Sequence, residues 1–242
     1  MTAPVFCALD TDDIQTALRV AENVRPYVAG LKIGMEFFYG AGPEGYRAVA
    51  DQGLPIFLDL KLHDIPNTVA GAMRSLTPLQ PGYVTVHASG GSAMMAAALD
   101  AAGDAAARLG VARPKLLAVT VLTSLGPDDL TAIGQHAEAT EQAERLARLA
   151  HDAGLDGIVC SPWEIETIRA AVGPGPEIVV PGIRPAGAPA GDQVRIRTPI
   201  EAMTAGATRL VIGRPITAAA DPGDAARSIA ASLSTLIAEG NA

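Results

Sequence analysis

Residues 57–68 read Phe-Leu-Asp-Leu-Lys-Leu-His-Asp-Ile-Pro-Asn-Thr, a run in which charged side chains interrupt an apolar background. Its first part belongs to the apolar segment 55–60, which predicts a buried strand. Pro66 cannot donate to a strand ladder and interrupts regular pairing, and a helical pattern follows over 66–76. The stretch is therefore one strand–helix unit.

The same alternation of strand and helix continues in both directions along the chain. Apolar runs predict strands at 5–9, 30–34, 55–60, 83–87, 115–122, 157–160, 177–181 and 209–212. Helical patterns lie between them at 12–25, 43–52, 66–76, 92–109, 140–153, 162–172, 199–205 and 222–238. Eight strands alternating with eight helices favour an α/β fold of the closed (β/α)₈ TIM-barrel type, with a single domain over residues 1–242.

Composition supports this fold class and limits the functions. Hydrophobic residues make up 49% and charged residues 18% of the chain, which excludes a disordered protein. The formal net charge is −8, and no Lys/Arg cluster with interleaved aromatics occurs, so nucleic-acid binding is not expected. The N-terminus lacks a basic leader region and no long uncharged apolar stretch follows, so we expect a cytoplasmic protein without a membrane partner.

The two cysteines and the longest irregular segment give further expectations. Cys7 and Cys160 each lie in an apolar run of strand type, where a buried thiol is the usual state, so we assign them no disulfide, metal or catalytic role. Segment 182–198 is rich in Gly, Ala and Pro. Long loops in a compact domain are often functional lids.

The charges at the end of the strand in 55–60 are the first candidates for chemistry. Alternation along a strand places Asp59 and Lys61 on one face, and Asp64 follows within a few residues. Three ionisable groups are therefore expected to meet. An isolated motif of this kind is a structural salt-bridge cluster as often as it is a reaction centre, so residues elsewhere in the chain are needed to distinguish the two interpretations.

In a TIM barrel the chemistry lies at the carboxyl ends of the strands. The predicted strands end in, carry or lead to polar residues, namely Asp10, Lys32, Asp59, Lys61, His87, Thr123, Ser124, Arg184, Gly213 and Arg214. Charged groups that converge from several strands indicate a binding site. Arg184 and the Gly213-Arg214 pair follow the last two strands, where barrels commonly bind phosphate, so we predict a phosphate site there.

Taken together, these motifs closely resemble the orotidine 5′-monophosphate decarboxylase family. The resemblance rests on Ala8-Leu9-Asp10, Leu31-Lys32-Ile33-Gly34, Asp59-Leu60-Lys61-Leu62-His63-Asp64-Ile65-Pro66-Asn67-Thr68, Val86-His87-Ala88, Val119-Thr120-Val121-Leu122-Thr123-Ser124, Pro181-Gly182-Ile183-Arg184-Pro185, Gly191-Asp192-Gln193 and Val211-Ile212-Gly213-Arg214-Pro215. It covers the chain in order from end to end. The Asp-x-Lys-x-x-Asp-Ile-Pro-Asn-Thr segment is its most specific part.

The resemblance implies decarboxylation of orotidine 5′-monophosphate to UMP and CO₂, the last step of pyrimidine nucleotide synthesis, without a cofactor or metal. Lys61 would protonate C6 of the pyrimidine within a charge array of Lys32, Asp59, Lys61 and Asp64. Substrate ligands implied in the same way are Asp10 and Lys32 at the ribose, Thr123 or Ser124 at the pyrimidine edge, and Arg184, Gln193, Gly213 and Arg214 at the phosphate. His87 stays outside the catalytic set, because a structural imidazole explains it equally well.

The resemblance also implies a homodimer with shared sites. Asp64, Ile65 and Thr68 are similar to family residues that reach across the dimer interface into the partner's site. Each site would then combine residues of two chains.

Two alternatives remain open at the level of sequence. Magnesium-dependent hexulose-phosphate synthases and keto-gulonate-phosphate decarboxylases resemble this chain, but they carry a metal-binding Glu at the end of the second strand, where this chain has Lys32. A cation at that position would repel Mg²⁺. A non-catalytic barrel that binds a nucleotide would keep the phosphate site but would have no use for the charge array.

Overall fold

Eight parallel strands close into a barrel in the computed structural model, which describes residues 2–135, 138–185 and 197–239. Each strand pairs with its neighbour in chain order, and the last strand pairs with the first through Val5 and Leu210. Helices follow the strands and cover the outside of the barrel. The predicted (β/α)₈ TIM barrel is confirmed.

The strands and helices have the following bounds. The strands are β1 (Ala3–Leu9), β2 (Val28–Gly34), β3 (Ile56–Leu62), β4 (Tyr83–His87), β5 (Lys115–Val119), β6 (Gly157–Val159), β7 (Glu177–Val180) and β8 (Arg209–Ile212). The α-helices are α1 (Ile14–Val24), α2 (Met35–Ala50), α3 (Pro66–Leu76), α4 (Ser92–Leu109), α5 (Pro127–Ala132), α6 (Ala139–Asp152), α7 (Ile165–Val172), α8 (Pro199–Thr204), α9 (Arg214–Thr217) and α10 (Pro222–Glu239). Short 3₁₀ helices span Thr77–Leu79 and Ala88–Gly90.

The largest difference from the predicted boundaries is in α2. The sequence predicts a helix over 43–52, whereas the structure begins it at Met35. Gly42 has φ +60° and breaks the helical path, and Pro43 follows it, so α2 consists of two helical pieces that meet at a kink. Because Gly42 and Pro43 usually mark the boundary of a helix, the helical piece before them was not predicted.

Smaller differences lie at the ends of β5 and α7. β5 ends at Val119 instead of residue 122, and the N–H and the hydroxyl of Thr120 just after it both donate to the carbonyl of Val159, each at 3.1 Å. α7 begins at Ile165 instead of residue 162, after a turn in which the carboxylate of Glu164 accepts the N–H of Ser161 at 2.9 Å. The short helices α5 and α9 were not predicted.

The interior of the barrel is filled by a small aromatic cluster. Phe6 lies edge-on to Phe57 and to Tyr83, with ring centroids 5.4 and 5.2 Å apart. Gly30 makes room for this cluster, since a Cβ there would lie 2.5 Å from the Phe6 ring and 2.6 Å from the carbonyl oxygen of Pro55. Edge-to-face aromatic contacts of this type stabilise the core beyond the burial of apolar area.

An ionic cluster closes the amino-terminal end of the barrel. The carboxylate of Glu177 accepts a hydrogen bond from the Tyr83 hydroxyl at 3.3 Å and pairs with the ammonium group of Lys115. The Lys115 ammonium also lies 5.6 Å from the centroid of the Tyr83 ring. These contacts join β4, β5 and β7 at the end of the barrel opposite the strand termini that carry the predicted site.

The outer helices pack on the barrel through small and apolar side chains. The Ala-rich helix α4 buries Met94, Met95 and several alanines, as expected for an outer helix with a small-residue face. It packs closely against α3. Within the described residues, no helix combines the length and the apolar character needed to cross a membrane.

Replacing Gly30 with Ala tests the packing of the barrel interior. The added methyl group would overlap the Phe6 ring and a backbone carbonyl, so we expect Gly30→Ala to lower the free energy of unfolding by about 1–3 kcal/mol, a typical cost of overpacking. Urea denaturation followed by circular dichroism measures this change.

Gly103→Ala is the matched control for Gly30→Ala. In α4 the new Cβ would find its nearest atom 3.9 Å away, an ordinary contact, so the helix should gain about 0.5–1 kcal/mol. Equal effects of the two substitutions would contradict the proposed packing.

Candidate active site

A cavity of about 270 Å³ opens at the carboxyl ends of the strands. Apolar side chains that include Phe57, Val119, Val159 and Val211 line part of its wall. Its polar lining residues are Asp10, Lys32, Asp59, Lys61, Thr123, Cys160, Arg184 and Arg214, with Gly182 and Gly213 beside them. Most of the side chains predicted from strand ends therefore converge on one cavity.

Four charged side chains from the first three strands form a chain of ion pairs in this cavity. The Lys61 ammonium lies 2.8 Å from Oδ2 of Asp59, and the Lys32 ammonium lies 4.0 Å from the same oxygen. Lys32 also pairs with Oδ1 of Asp10 at 3.0 Å. The Lys32 and Asp59 side chains are only 11% and 14% exposed, so water screens their interaction weakly.

Thr85, which was not predicted as a site residue, organises this array. Its hydroxyl donates to Oδ1 of Asp59 at 2.9 Å and accepts the backbone N–H of Lys61 at 2.8 Å. Thr85 is fully buried in β4. A hydroxyl between Val84 and Val86 in a predicted buried strand was the available signal, because buried polar groups need a partner.

Asp59 and Lys61 meet, but not through the regular alternation expected from the sequence. Lys61 has φ +50°, in the left-handed region that side-chain-bearing residues rarely adopt. The register between β3 and β4 shifts between Leu58 and Leu62, which places the irregularity at the site. Local strain of this kind concentrates at functional sites, where the surrounding structure maintains it.

Gly34, at the end of β2, has no side chain that would contact the Lys32 ammonium group. A Cβ on Gly34 would lie 3.0 Å from the Lys32 ammonium nitrogen and 3.7 Å from Oδ1 of Asp10. A larger residue would crowd the ion pair that links the first two strands. The sequence showed Gly34 only as part of the Leu31–Gly34 motif.

Asp64 lies outside the charge array of the single chain, contrary to the expectation that three ionisable groups would meet. Its side chain is exposed, and Oδ1 accepts the N–H of the following residue, Ile65, at 2.6 Å. Ile65 is 66% exposed, and Thr68 is exposed as well. The segment from Asp64 to Thr68 therefore presents its side chains to the surroundings of the chain.

The predicted phosphate ligands are partly assembled. Arg184, which is 8% exposed, lines the cavity together with Gly213 and Arg214. Gln193 lies outside the described residues, as does 186–196 of the predicted loop 182–198. Thr123 lines the cavity, whereas Ser124 is not among the described lining residues.

Burial shifts the pKa values of His87 and of both cysteines. The ring of His87 lies 5.4 Å from that of His63, and burial, together with the nearby His63 and Lys61, lowers the pKa of His87 below its ordinary value. Cys160 contributes to the cavity wall, and burial raises the pKa of its thiol. Cys7 is a buried thiol whose pKa burial raises to about 12.

Known proteins match this chain over nearly its whole length. The model of the orotidine 5′-phosphate decarboxylase / HUMPS family matches residues 3–229. The orotidine 5′-phosphate decarboxylase of Paramagnetospirillum magneticum is 53% identical to this chain over 233 residues, which cover 96% of this chain and 99% of the relative. That of Sphingopyxis alaskensis is 52% identical over 233 residues, which cover 96% of this chain and 100% of the relative. The crystal structure of the Lactobacillus acidophilus orotidine 5′-phosphate decarboxylase has 39% identity and a TM-score of 0.82, covering 93% of this chain and 96% of that one. This chain therefore belongs to the orotidine 5′-phosphate decarboxylase / HUMPS family.

Proposed function

We propose that this chain is a carboxy-lyase that converts orotidine 5′-monophosphate to UMP and CO₂, the last step of pyrimidine nucleotide synthesis. The observation that carries the proposal is the Lys32–Asp59–Lys61 array, in which Asp59 lies 2.8 Å from one ammonium group and 4.0 Å from the other. The full-length similarity to named orotidine 5′-phosphate decarboxylases supports the same reaction.

The array suits a reaction in which negative charge moves onto carbon. When the bond between C6 and the carboxylate breaks, the electron pair stays on C6 and CO₂ leaves. A fixed Lys61 ammonium stabilises this carbanion and then transfers a proton to C6. Asp59, next to the substrate carboxylate, disfavours the charged ground state relative to the transition state.

We assign further residues, most of which line the cavity, to the other parts of the nucleotide. Proposed substrate ligands are Asp10 and Lys32 at the ribose, Thr123 or Ser124 at the pyrimidine edge, and Arg184, Gln193, Gly213 and Arg214 at the phosphate. Guanidinium groups bind phosphate oxygens through paired hydrogen bonds, so Arg184 and Arg214 are suited to hold the phosphate. Both side chains line the same cavity as Lys61.

Homodimer formation would complete each site. Asp64, Ile65 and Thr68 are exposed beside the strand that carries Asp59 and Lys61, and Ile65 is an apolar side chain 66% exposed. In this proposal Asp64 and Thr68 enter the partner's site, and Asp64 extends the charge array there. Burial of Ile65 between the two chains would contribute to the stability of the dimer.

Lys32 disfavours the magnesium-dependent activities of the wider family. Its ammonium lies 3.0 Å from Asp10 and 4.0 Å from Asp59, so a positive charge already occupies the space between two carboxylates. A hard divalent cation needs several free oxygen ligands, which these paired carboxylates do not offer. We therefore propose that the reaction needs no metal and no cofactor.

Loss of orotate absorbance on mixing the protein with orotidine 5′-monophosphate in EDTA tests this proposal. We expect turnover in EDTA, and we expect Lys61→Ala to reduce kcat by at least about a hundredfold, because it removes the proton donor. Affinity for UMP should remain largely intact in the variant. Turnover of the wild type only after addition of Mg²⁺ would instead support a magnesium-dependent activity.

Lys115→Ala is the matched control for Lys61→Ala. The chain has three lysines, and Lys115 pairs with Glu177 at the opposite end of the barrel. Its removal should leave kcat near that of the wild type. Near-normal turnover by Lys61→Ala would disprove the assigned role.

Mixing two inactive variants tests the shared site. Asp64→Ala and Lys61→Ala should each have little activity alone, but a mixed dimer contains one site with an intact Lys61 and an intact Asp64 from the partner. We expect activity to return when the two proteins are unfolded together and refolded, and to stay absent when each is refolded alone. No recovery, with mixed dimers demonstrated by mass spectrometry, would place Asp64 in the site of its own chain.

A further inference from the structure

A surface cluster outside the cavity holds the guanidinium group of Arg197. The guanidinium carbon lies 5.3 Å from the centroid of the Trp163 ring, and Nη1 donates to Oε1 of Glu166 at 2.9 Å. This hydrogen bond is the main reason that the pKa of the Glu166 carboxyl lies below its ordinary value. We call these three residues the Arg197 clamp. The Arg197 side chain is only 19% exposed, although Trp163 is 51% exposed.

The clamp joins elements that are distant in sequence. Trp163 precedes α7 and Glu166 lies in its first turn, whereas Arg197 precedes α8. The next residue, Thr198, caps α8 through reciprocal hydrogen bonds with Glu201. The backbone of Arg197 is therefore fixed on one side by a helix cap, and its side chain is fixed by α7 and the preceding loop.

The backbone of Arg197 also contacts Arg184, one of the residues that line the cavity. The N–H of Arg184 donates to the carbonyl of Arg197 at 3.1 Å, and Ile183 and Arg197 form an isolated parallel bridge. Within its own segment, Nη1 of Arg184 donates to the carbonyl of Ile183 at 3.1 Å. The position of the Arg184 guanidinium thus depends on the backbone at 183–184, which depends on Arg197.

We infer that Arg197, held by Trp163 and Glu166, is a positioning residue for Arg184 and thereby strengthens binding of the substrate phosphate. The inference rests on the proposed function, in which Arg184 is a phosphate ligand. An exposed ion pair alone contributes little, but here a ring contact, an ion pair and a backbone hydrogen bond act on one residue. Displacement of a bidentate phosphate ligand weakens binding because its hydrogen bonds are strongly directional.

Affinities for UMP and for uridine can be measured by calorimetry or by competition. Comparing them separates a role in phosphate binding from a general loss of stability. Arg197→Met and Trp163→Ala should each weaken UMP binding by about three- to tenfold, since the contacts removed are individually modest. Uridine binding should not change, because uridine has no phosphate. The KM for orotidine 5′-monophosphate should rise in parallel with the Kd of UMP.

Conservative and distant substitutions serve as controls. Trp163→Phe retains an aromatic face under the guanidinium and should stay within about twofold of the wild type for UMP. Arg227→Met removes an exposed arginine that pairs with Asp224 at 2.8 Å on α10, and it should leave both affinities unchanged. Equal weakening of UMP and uridine by Arg197→Met would overturn the inference.

Arg184→Ala distinguishes failure of this inference from failure of the proposed function. If Arg184→Ala leaves the ratio of UMP to uridine affinity unchanged, Arg184 is not a phosphate ligand, and the proposed phosphate site is wrong. If Arg184→Ala lowers that ratio but Arg197→Met does not, only the positioning role is overturned. In the double variant, Arg197→Met should add no further loss to that of Arg184→Ala, and an additive loss would also overturn the inference.

Discussion

The carboxylate of Asp59 interacts with side chains from three adjacent strands, and the geometry of the site depends on it. Lys32 approaches from β2, Lys61 from the same strand as Asp59, and Thr85 from β4. Lys32 is buried and Asp59 is half-buried, so removing one partner would leave a charge that water compensates only in part. The strand register that brings these residues together and the charge array therefore stabilise each other.

The amino-terminal end of the barrel holds strands together, whereas the carboxyl end carries the cavity. At the amino-terminal end, the contacts of Glu177 with Lys115 and Tyr83 join strands without forming part of the cavity. At the carboxyl end, Lys61 adopts a left-handed backbone conformation and β3 loses its regular register with β4. Strained residues persist where the surrounding structure over-determines them, and the closed barrel with its aromatic interior provides that support.

The sequence predicted the fold well because its strongest signals are local. Apolar runs bounded by Gly, Pro or charge located all eight strands, and 83–87 and 209–212 coincide with the observed bounds. The predicted charged strand ends also converge on the cavity. Features that depend on tertiary contacts were missed, namely the hydroxyl bridge of Thr85 and the positive φ of Lys61, because neither follows from a local period.

The charge distribution shows how an acidic protein can bind an anionic nucleotide. The formal net charge of the chain is −8, yet the described cavity lining contains four cationic side chains and two carboxylates. Surface carboxylates more than about 8 Å away are largely screened by salt, whereas the cations in the cavity act directly on a bound ligand. The two lysines pair with Asp10 and Asp59, and two arginines line the cavity beside them, so in the proposed reaction cationic groups lie near both the phosphate and the reacting carbon. The paired lysines are held in place by their carboxylates, so the array is organised before the substrate arrives.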